Sequence, residues 1–375
     1  MDRSNPSKQS ETIRQRLAAD VTAGGDAISV IVPVLNESTH IQRTIESLLA
    51  QDAAPLRLEL LFVDGGSRDG TREIIGRYAR QHPTVKLLEN PRRTTPVALN
   101  IGLRAAQGKY VAILGAHAGY PPDYIKTCWE ELETHRAAGC SGCLHTLAAN
   151  QNLGAHLAAW CIGHRFASSG KSVRTHREGY ADTIPFPVFC KQALIDAGGY
   201  DEILSRNQDN EMNERLRAQG HRLYLTARTQ AAYYARPGLR SLLAHAYNTG
   251  KWNGRTARRG GGLSLYHFAP LALFVTILIA LALVPIARQS GYFALLLLWL
   301  PIAAHLCMGT VAGIDTAIRQ RSAAALLLPP VILAFHLAYG FGTAVGLLGR
   351  LPLVAHRQPR EVFAKSWSVE AKPKP

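Results

Sequence analysis

Four polar residues of this chain stand at, or just after, the ends of predicted β-strands, where their side chains could bind a ligand: Asn36, Glu37, Asp64 and His117. The runs before them are apolar and rich in β-branched residues, which is typical of strands buried on both faces. Because the carboxyl ends of parallel strands meet at one edge of a sheet, we expect these side chains to lie close together. Carboxylate, amide and imidazole groups gathered there could bind a nucleotide diphosphate and a divalent cation.

A further residue with catalytic potential is Asp209, at the start of a predicted helix in the segment NQDNEMNERLRAQGH. Met212 and Leu216, four residues apart, are expected to face the core of the protein. The N-terminus of a helix favours the ionised form of a carboxylate, and a general base must be in that form. A helix-capping role for Asp209 is the alternative.

The elements that position these residues follow from alternating apolar runs. Strands are predicted at 28–34 (ISVIVPV), 58–64 (LELLFVD), 85–90 (VKLLEN) and 109–114 (KYVAIL). Helices are predicted between them, and Ser38 is the expected N-cap of the first. Strands that alternate with helices predict an α/β fold with a mostly parallel, Rossmann-like sheet covered by helices on both faces.

Three long stretches near the C-terminus contain no Asp, Glu, Lys or Arg: Ala269–Ala287, Gln289–Ile314 and Ser322–Gly349. Each reaches the roughly 18 residues needed to cross the hydrocarbon core of a membrane. One such run could be a buried core helix, but three in succession favour membrane segments. The start of the chain is polar and lacks the apolar core of a signal peptide, so the N-terminal domain is expected to stay in the cytoplasm.

The formal net charge is +15, and part of it is concentrated in residues 236–259 (RPGLRSLLAHAYNTGKWNGRTARR), just before the first apolar run. Basic residues there are mixed with Leu, Tyr and Trp, as is typical of a segment that lies on an anionic membrane leaflet. Nucleic-acid binding is the other interpretation of such a charge. It is disfavoured because the basic cluster adjoins membrane segments and matches no nucleic-acid-binding motif.

These patterns divide the chain into five predicted parts. They are a polar N-terminal segment (1–27), a globular α/β domain (28–235), a basic juxtamembrane segment (236–265), membrane segments with two or three spans (266–350) and a basic tail (351–375). Three crossings would place the tail outside, whereas its basic residues favour the inside. The third apolar run contains Pro329-Pro330 and several glycines, so it is the candidate for a re-entrant or interfacial segment.

The chain has six cysteines, and only Cys140 and Cys143 are spaced like half of a zinc site. Because no second pair follows at zinc-site spacing, the two residues are predicted to be structural thiols in a reducing cytoplasm.

Five sequence blocks occur in order along the chain: VPVLNES, FVDGGSRDGT, ALNIGLRAAQGKYVAILGAHA, GGYDE and NQDNEMNERLRAQGH. In this order and spacing the chain resembles the inverting glycosyltransferases of family 2, and most of all their membrane-associated bacterial branch of succinoglycan-type glucosyltransferases. The resemblance covers about residues 28–260. It implies the GT-A nucleotide-diphospho-sugar transferase fold, followed here by transmembrane helices.

The resemblance also implies which residues bind the donor. Asp64 would bind the nucleotide through its base or ribose, with capping of the following turn as the alternative, although Asp69 is better placed to cap. Pro33, Asn36 and Glu37 would shape the base pocket. The other implied donor-site residues are Arg92, Arg93, Asn100, Ala116 and Asp182. One of the two arginines would reach the diphosphate, and Asp182 could instead line the acceptor cleft.

Gly115 and His117 stand where the family pattern has two aspartates. His117 matches the direct metal ligand, whereas Gly115 can offer only its backbone. A divalent cation, Mn²⁺ or Mg²⁺, would neutralise the leaving diphosphate, and imidazole suits Mn²⁺ better than Mg²⁺. The alternative is that His117 donates a hydrogen bond to the phosphates without a metal.

Asp209 matches the second residue of the family's Glu-Asp pair, with Gln208 in place of the Glu, and the resemblance implies that it is the catalytic base. Asp201 in GGYDE is expected to be structural. Lys251 and Trp252 could face the acceptor, but a Trp at a membrane interface needs no such role.

The resemblance therefore implies a hexosyltransferase anchored in the bacterial inner membrane, with its catalytic domain on the cytoplasmic side. The expected donor is a UDP-linked hexose, and the expected acceptor is a polyprenyl-diphosphate-linked saccharide of exopolysaccharide assembly. The alternative is a non-catalytic subunit that binds a nucleotide sugar within a polysaccharide assembly complex. Gly115 is the residue that favours this alternative.

Overall fold

The computed structural model describes residues 27–349 except 117, 169–171, 176–177, 205–206, 236–237, 259–264 and 291. His117, residues 1–26 and the predicted basic tail (351–375) thus lie outside the described residues. The described residues form two compact units, one within 27–145 and 178–233 and the other within 146–175 and 234–349. The described residues of 146–175, which fall within the predicted 28–235 domain, group with the C-terminal helices.

The four predicted strands are confirmed, and the described residues form five more. The strands are β1 (Ala27–Val34), β2 (Arg57–Asp64), β3 (Val85–Glu89), β4 (Tyr110–Ile113), β5 (Ala118–Gly119), β6 (Gly139–Leu147), β7 (Gly179–Tyr180), β8 (Val188–Cys190) and β9 (Leu223–Tyr234).

Helices follow most of the strands, and longer ones make up the C-terminal part. They are α1 (Ile41–Leu49), α2 (Thr71–Gln81), α3 (Thr95–Ala105), α4 (Tyr124–Thr134), α5 (Leu153–Gly163), α6 (Arg165–Ser168), α7 (Lys191–Asp196), α8 (Gln208–Ala218), α9 (Leu239–Arg258), α10 (Ala269–Ser290), α11 (Tyr292–Gln320) and α12 (Leu328–Leu348). Short 3₁₀ helices are formed by Leu265–Phe268 and Ala323–Leu327.

The strands form one sheet in the order β3-β2-β1-β4-β8-β6-β9-β5, and β7 pairs with β9. The first four strands in this order are parallel, as predicted. The sheet as a whole is mixed, because β8 pairs antiparallel with β4 and β6, and β5 and β7 pair antiparallel with β9. Val34 pairs with Asp64 in the register of β1 and β2, so the residues that follow both strands emerge at the same edge.

Successive residues of the central strands pack on opposite faces of the sheet, because side chains alternate along a strand. Val30 lies in the core cluster that contains Ile45 of α1. Its neighbour Ile31 lies in a second cluster with Met212 and Leu216 of α8, so the predicted inner face of that helix is confirmed. Because both faces are buried, the sequences of the central strands are apolar. The same packing holds the helices in place, and the polar residues of the site lie at the ends of these helices.

The predicted N-cap of the first helix is wrong by two residues. Helix α1 begins at Ile41, and His40 precedes it. The Ser38 amide instead donates a hydrogen bond to Asp69 Oδ2 (3.0 Å), which holds Ser38 in the preceding turn. The hydrogen bond to Asp69 therefore outweighs the preference of Ser38 for an N-cap position.

In the second unit, three helical segments are long and apolar enough to cross a membrane by length and composition: Leu265–Ile286, Trp299–Gln320 and Ala323–Leu348. They overlap the three uncharged runs of the sequence, although the second segment begins ten residues later than its run and extends past Asp315 and Arg319. Helix α9 covers most of the basic segment that precedes them.

Candidate active site

The loops that follow β1 and β2 are joined by hydrogen bonds between their polar groups. Asn36 has a left-handed backbone (φ 55°), its amide donates to Ser67 Oγ (2.8 Å), and its Oδ1 accepts from the Arg68 amide (3.0 Å). The Glu37 amide donates to Thr71 Oγ1 (2.9 Å). Asn adopts the left-handed conformation more readily than most residues with a side chain. The site edge is therefore built from two loops that hold each other in place, and Pro33 lies in β1 just before them.

Asp64 ends β2, and its side chain is fully buried. Its carboxylate accepts hydrogen bonds from the amides of Gly66 (2.9 Å) and Ser67 (3.1 Å), from the Ser67 hydroxyl and from Arg72 Nη1 (3.0 Å). Arg72 also pairs with Glu89 (2.7 Å). These bonds use most of the lone-pair positions of the carboxylate. Asp64 thus shapes the turn after β2, and a nucleotide would reach its oxygens only if Ser67 or Arg72 released a bond.

Asp69 has the capping role that its position suggests. Its carboxylate accepts from the Thr71 hydroxyl (2.6 Å), the Thr71 amide (3.1 Å) and the Ser38 amide (3.0 Å). The hydrogen bonds from Thr71 and Ser38 hold the pKa of Asp69 well below its ordinary value. The ionised form of Asp69 therefore fastens the start of α2 to the loop after β1.

The two predicted phosphate-binding arginines lie in different surroundings. The Arg93 side chain folds over the turn after β2, where Nε donates to the Gly65 carbonyl (3.0 Å) and Nη2 to the Gly66 carbonyl (3.3 Å). Arg92 is exposed and forms an ion pair with Glu202. Arg93 is thus placed beside the Asp64 turn, and Arg92 beside the segment that leads to α8.

Asn100 is buried and supports that segment. Its Nδ2 donates to the Tyr200 carbonyl (2.9 Å) and to Glu202 Oε1 (3.0 Å), and its Oδ1 accepts from the Tyr200 amide (2.8 Å). Asp201 Oδ1 accepts from the Ile203 amide (3.0 Å), so Asp201 fixes the turn as expected. The groups of Asn100 are committed to protein partners, and its contribution to donor binding would be indirect.

The chain after β4 is closely packed. The Gly115 amide donates to Tyr120 Oη (2.7 Å), and the buried Ala116 accepts from Thr44 Oγ1 (2.6 Å) through its carbonyl oxygen. A Cβ atom at Gly115 would lie 3.0 Å from Cε1 of Phe186, which has a left-handed backbone (φ 48°). The Phe186 ring therefore occupies the space that an aspartate side chain at position 115 would enter.

The described residues do not by themselves provide a metal site. Within this part of the chain, no three His, Cys, Asp or Glu side chains come together as a metal ion requires. Gly115 and Ala116 have no ligand atoms in their side chains, and Asp64 is committed to its turn. His117, the predicted metal ligand, lies outside the described residues.

Asp209 is the second residue of α8, as predicted. Its side chain is open to solvent, but protein surrounds it on most sides, and this desolvation raises the pKa of Asp209 to about 6. Among the described residues the Asp209 carboxylate has no hydrogen-bond partner, which argues against the capping alternative. Burial and the nearby Asp209 charge also raise the pKa of Tyr200. Asp209 can thus exchange a proton near neutral pH.

Asp182 lies on a segment that is tied to the same helix. Arg217 of α8 donates to the Asp182 carbonyl (3.0 Å) and lies 3.4 Å from Asp182 Oδ1. Thr183 Oγ1 donates to Asn210 Oδ1 (3.1 Å) and accepts from Asn213 Nδ2 (2.8 Å). The segment that contains Asp182 therefore moves with α8, and a role of Asp182 in the donor or acceptor cleft stays a prediction.

Some residues of this site were missed from the sequence. Ser67 stands between the two acidic residues of FVDGGSRDGT and Thr71 follows the second, and their hydroxyl groups were a usable signal for the loop contact. Phe186 gave no such signal, because no local pattern indicates a left-handed backbone or a contact with position 115.

Two further predictions concern surroundings of the site. Cys140 and Cys143 are buried thiols, which supports their interpretation as structural residues. In the second unit, Lys251 Nζ lies 5.8 Å from the centre of the Tyr247 ring, and the Arg255 guanidinium lies 4.9 Å from that of Trp252. Contact of Lys251 or Trp252 with an acceptor stays a prediction.

Comparison with known proteins adds independent findings. Residues 29–179 match the family model described as glycosyl transferase family 2. The chain is 30% identical over 326 residues to the succinoglycan biosynthesis protein ExoA of Rhizobium meliloti (strain 1021), covering 84% of this chain and 92% of that protein. It is 26% identical over 332 residues to the dolichyl N-acetyl-alpha-D-glucosaminyl phosphate 3-beta-D-2,3-diacetamido-2,3-dideoxy-beta-D-glucuronosyltransferase of Methanococcus voltae, covering 86% of this chain and 97% of that protein.

A solved structure has a similar fold. It is the mannosyltransferase PcManGT from Pyrobaculum calidifontis in complex with GDP-Man and Mn²⁺. The TM-score is 0.53 at 21% sequence identity, and the match covers 91% of this chain and 95% of that chain. At this identity the similarity shows that the two chains share a fold.

Proposed function

This chain is a member of glycosyltransferase family 2 with the GT-A fold, and we propose that it transfers a hexose from a nucleotide sugar to a lipid-linked saccharide with inversion at the anomeric carbon. The observation that carries this proposal is Asp209, a carboxylate that is open to solvent, has a pKa of about 6 and has no hydrogen-bond partner among the described residues. Such a group can accept a proton from an acceptor hydroxyl.

The reaction we propose is a single displacement. As the acceptor oxygen forms a bond to the anomeric carbon, the bond from that carbon to the diphosphate oxygen breaks and the nucleotide diphosphate leaves. Asp209 takes the proton of the acceptor hydroxyl and later releases it to water. Because its pKa is raised towards neutrality, Asp209 is a stronger base than an ordinary aspartate while remaining largely ionised at pH 7.

The nucleotide is proposed to bind against the joined loops after β1 and β2. Asn36 and Asp64 hold these loops in shape, and Arg93 brings a positive charge beside the same turn. We propose UDP as the nucleotide, with Pro33 and Glu37 also lining its base. The complex of PcManGT with Mn²⁺ supports use of a divalent cation, which His117 would hold and which would neutralise the charge of the leaving diphosphate.

The acceptor and the location are proposed from the relatives and the apolar helices. One relative is named for succinoglycan biosynthesis and another for transfer to a dolichyl-phosphate-linked sugar. Three segments are apolar enough to cross a membrane. We therefore propose a polyprenyl-diphosphate-linked saccharide as the acceptor, an exopolysaccharide pathway, and the bacterial inner membrane with the catalytic residues on the cytoplasmic side.

A second candidate function is a subunit that binds a nucleotide sugar without turnover. Two observations favour it. The Asp64 carboxylate is occupied by its own turn, and Phe186 fills the space where position 115 would carry a side-chain ligand. The two functions differ in turnover, so one experiment separates them.

That experiment measures UDP release from UDP-hexoses by the purified full chain with a lipid-linked acceptor, alongside UDP binding by calorimetry with and without Mn²⁺. Asp209→Asn should lower kcat by about 10²–10⁴-fold, which is the usual contribution of a general base, with UDP affinity unchanged. Asp196→Asn is the matched control, because Asp196 is an exposed aspartate of α7. Turnover that survives Asp209→Asn would remove Asp209 as the base. UDP binding without turnover in the unaltered chain would favour the binding subunit.

A further inference from the structure

Helix α12 packs directly on the basic helix α9, with the two backbones in contact. The contact is made by glycines of both helices: Gly250 and Gly254 of α9, and Gly342 and Gly346 of α12. A Cβ atom at Gly342 would overlap the carbonyl oxygen of Tyr247, and one at Gly346 would overlap that of Lys251. Only a residue without a side chain permits this approach, so the two helices are built to lie side by side.

The two helices run in the same direction, because residues that come later in α9 meet residues that come later in α12. Gly346 meets Lys251, and the Gly349 carbonyl accepts a hydrogen bond from Arg258. Helix α12 therefore has about the same inclination to a membrane as α9. If α12 crossed the bilayer, it would carry Lys251, Arg255 and Arg258 into or across the hydrocarbon, where charged side chains are rare and costly.

The contacts of α12 with α10 lie at the beginning of α10. A Cβ atom at Gly340 would overlap the Pro270 carbonyl oxygen, and the rings of Phe341 and Phe274 lie 5.8 Å apart. Further along α10, large side chains such as Ile279 and Ile286 are more than half exposed. The second half of α12 therefore meets the N-terminal end of α10. This is the end at which α10 enters the membrane from the side of α9.

The contacts of α12 with α11 extend from the middle of α11 towards its end. A Cβ atom at Gly313 would lie 3.1 Å from the Ala325 carbonyl oxygen, just before α12, and His305 Nε2 lies 2.8 Å from His336 Nδ1. Asp315 and Arg319, which pair at 2.8 Å, lie in the last turns of α11. The beginning of α12 thus lies near the charged end of α11.

Both sets of contacts are far from position 291, where α10 passes into α11. Phe274 is 17 residues and His305 is 14 residues from that position. At 1.5 Å per helical residue these separations are about 25 Å and 21 Å. If α10 and α11 each cross the bilayer, all of these contacts lie towards the surface opposite to the connection between the two helices. The first half of α12 runs back along α11 only from Gly313 to His305, which is about 12 Å, and its second half then meets Pro270 and Phe274 at the start of α10. Helix α12 is about 30 Å long, but it does not continue towards position 291 as a crossing helix would.

We propose that only α10 and α11 cross the bilayer, and that α9 and α12 form a glycine-packed pair that lies in the lipid headgroup region on the side of the N-terminal glycosyltransferase residues. The residues after Gly349 are then on that same side. The basic composition of 351–375 agrees with this arrangement by the positive-inside rule. The surface partner of the pair is an anionic lipid leaflet, which the α9 residues Arg240, Lys251, Arg255 and Arg258 would contact.

The test is thiol labelling of the full chain in intact bacterial spheroplasts with a membrane-impermeant maleimide. The background carries Cys190→Ser and Cys307→Ser, because the other four cysteines are buried. Single cysteines are then introduced by Gln81→Cys in α2, Ser290→Cys at the end of α10 and Ser368→Cys after α12. Permeabilised cells report the total reactivity of each position.

The expected result is that Ser290→Cys is labelled in intact spheroplasts, whereas Gln81→Cys and Ser368→Cys are labelled only after permeabilisation. Labelling of both Ser290→Cys and Ser368→Cys in intact spheroplasts would overturn the proposal, because α12 would then cross the bilayer. Labelling of all three positions from the same side would also overturn it, because α10 and α11 would not cross. The result does not depend on turnover, so it stands apart from the reaction proposed above.

Discussion

The pH dependence of turnover gives the sharpest test of the role assigned to Asp209. Desolvation raises the pKa of Asp209 to about 6, and only the ionised carboxylate can take a proton from the acceptor. With that pKa, about 90% of Asp209 is ionised at pH 7 and about 10% at pH 5. We expect kcat/KM to fall about tenfold between these two pH values. An aspartate with an ordinary pKa near 3.9 would stay about 90% ionised at pH 5, and the rate would hardly change.

The assay follows UDP release at low donor concentration from pH 5 to pH 8, for the unaltered chain, Asp209→Asn and the control Asp196→Asn. The control should reproduce the profile of the unaltered chain, since Asp196 lies exposed on α7. The small residual rate of Asp209→Asn should not vary over the acid range. A flat profile down to pH 5 in the unaltered chain, or an acid limb that persists in Asp209→Asn, would refute the assignment.

The same raised pKa predicts the direction of a stability effect. A carboxyl group whose pKa is higher in the folded than in the unfolded chain binds its proton more tightly when folded. Its stabilising contribution is present below the unfolded pKa near 4 and is lost as the pH rises through about 6. At pH 7 the ionised Asp209 therefore weakens the folded state. We expect the Tm of Asp209→Asn at pH 7 to be equal to or higher than that of the unaltered chain, and a fall in Tm would mean that Asp209 holds the fold together.

Three further predictions concern packing and stability. Asp64→Asn should lower the free energy of unfolding by about 2–4 kcal/mol, because it places an amide N–H₂ among hydrogen-bond donors and leaves Arg72 without its buried partner. Urea titration measures this change, and Asp196→Asn, at an exposed position, is the control. Gly115→Ala should lower Tm because its Cβ would lie 3.0 Å from Phe186 Cε1, and Phe186→Leu should restore part of the loss; additive effects in the double variant would show that the two positions are not coupled. Gly346→Leu should separate α12 from α9 and lower the Tm of the detergent-solubilised chain, whereas Leu348→Ala, at a side chain that is 85% exposed, should leave it nearly unchanged.

The elements of the fold that obey a local rule could be predicted from the sequence. Strands β1, β2 and β4 are largely buried, so their sequences are mostly apolar, and the ends of these strands and of the edge strand β3 were placed within a residue or two. Helix α8 was found from Met212 and Leu216, whose spacing requires one buried face. The antiparallel strands could not be found in this way. β5 and β7 have two residues each, and such short elements form only because β9 offers partners that are distant in the sequence.

The same distinction holds for the site. Asp69 and Asp209 lie beside the helices that they start, so neighbouring residues indicate their position. The surroundings of Asp64 could not be predicted in full, because whether its carboxylate is free depends on Arg72, which reaches it from the next helix. Asn100 acts on Tyr200, a hundred residues later in the sequence, and no local pattern connects the two.

The way in which α8 is anchored explains how Asp209 can be both well positioned and free to react. A base that must accept a proton cannot give its lone pairs to fixed donors, since each such bond would lower its pKa and its basicity. The helix is held by other residues instead. Arg215 donates to the carbonyl oxygens of Ala197 (2.5 Å) and Gly199 (2.6 Å), and Asn213 donates to Thr183 (2.8 Å). These bonds fix α8 from its later turns, so the carboxylate of Asp209 in the first turn is positioned by the backbone, and its lone pairs are available for the proposed proton transfer.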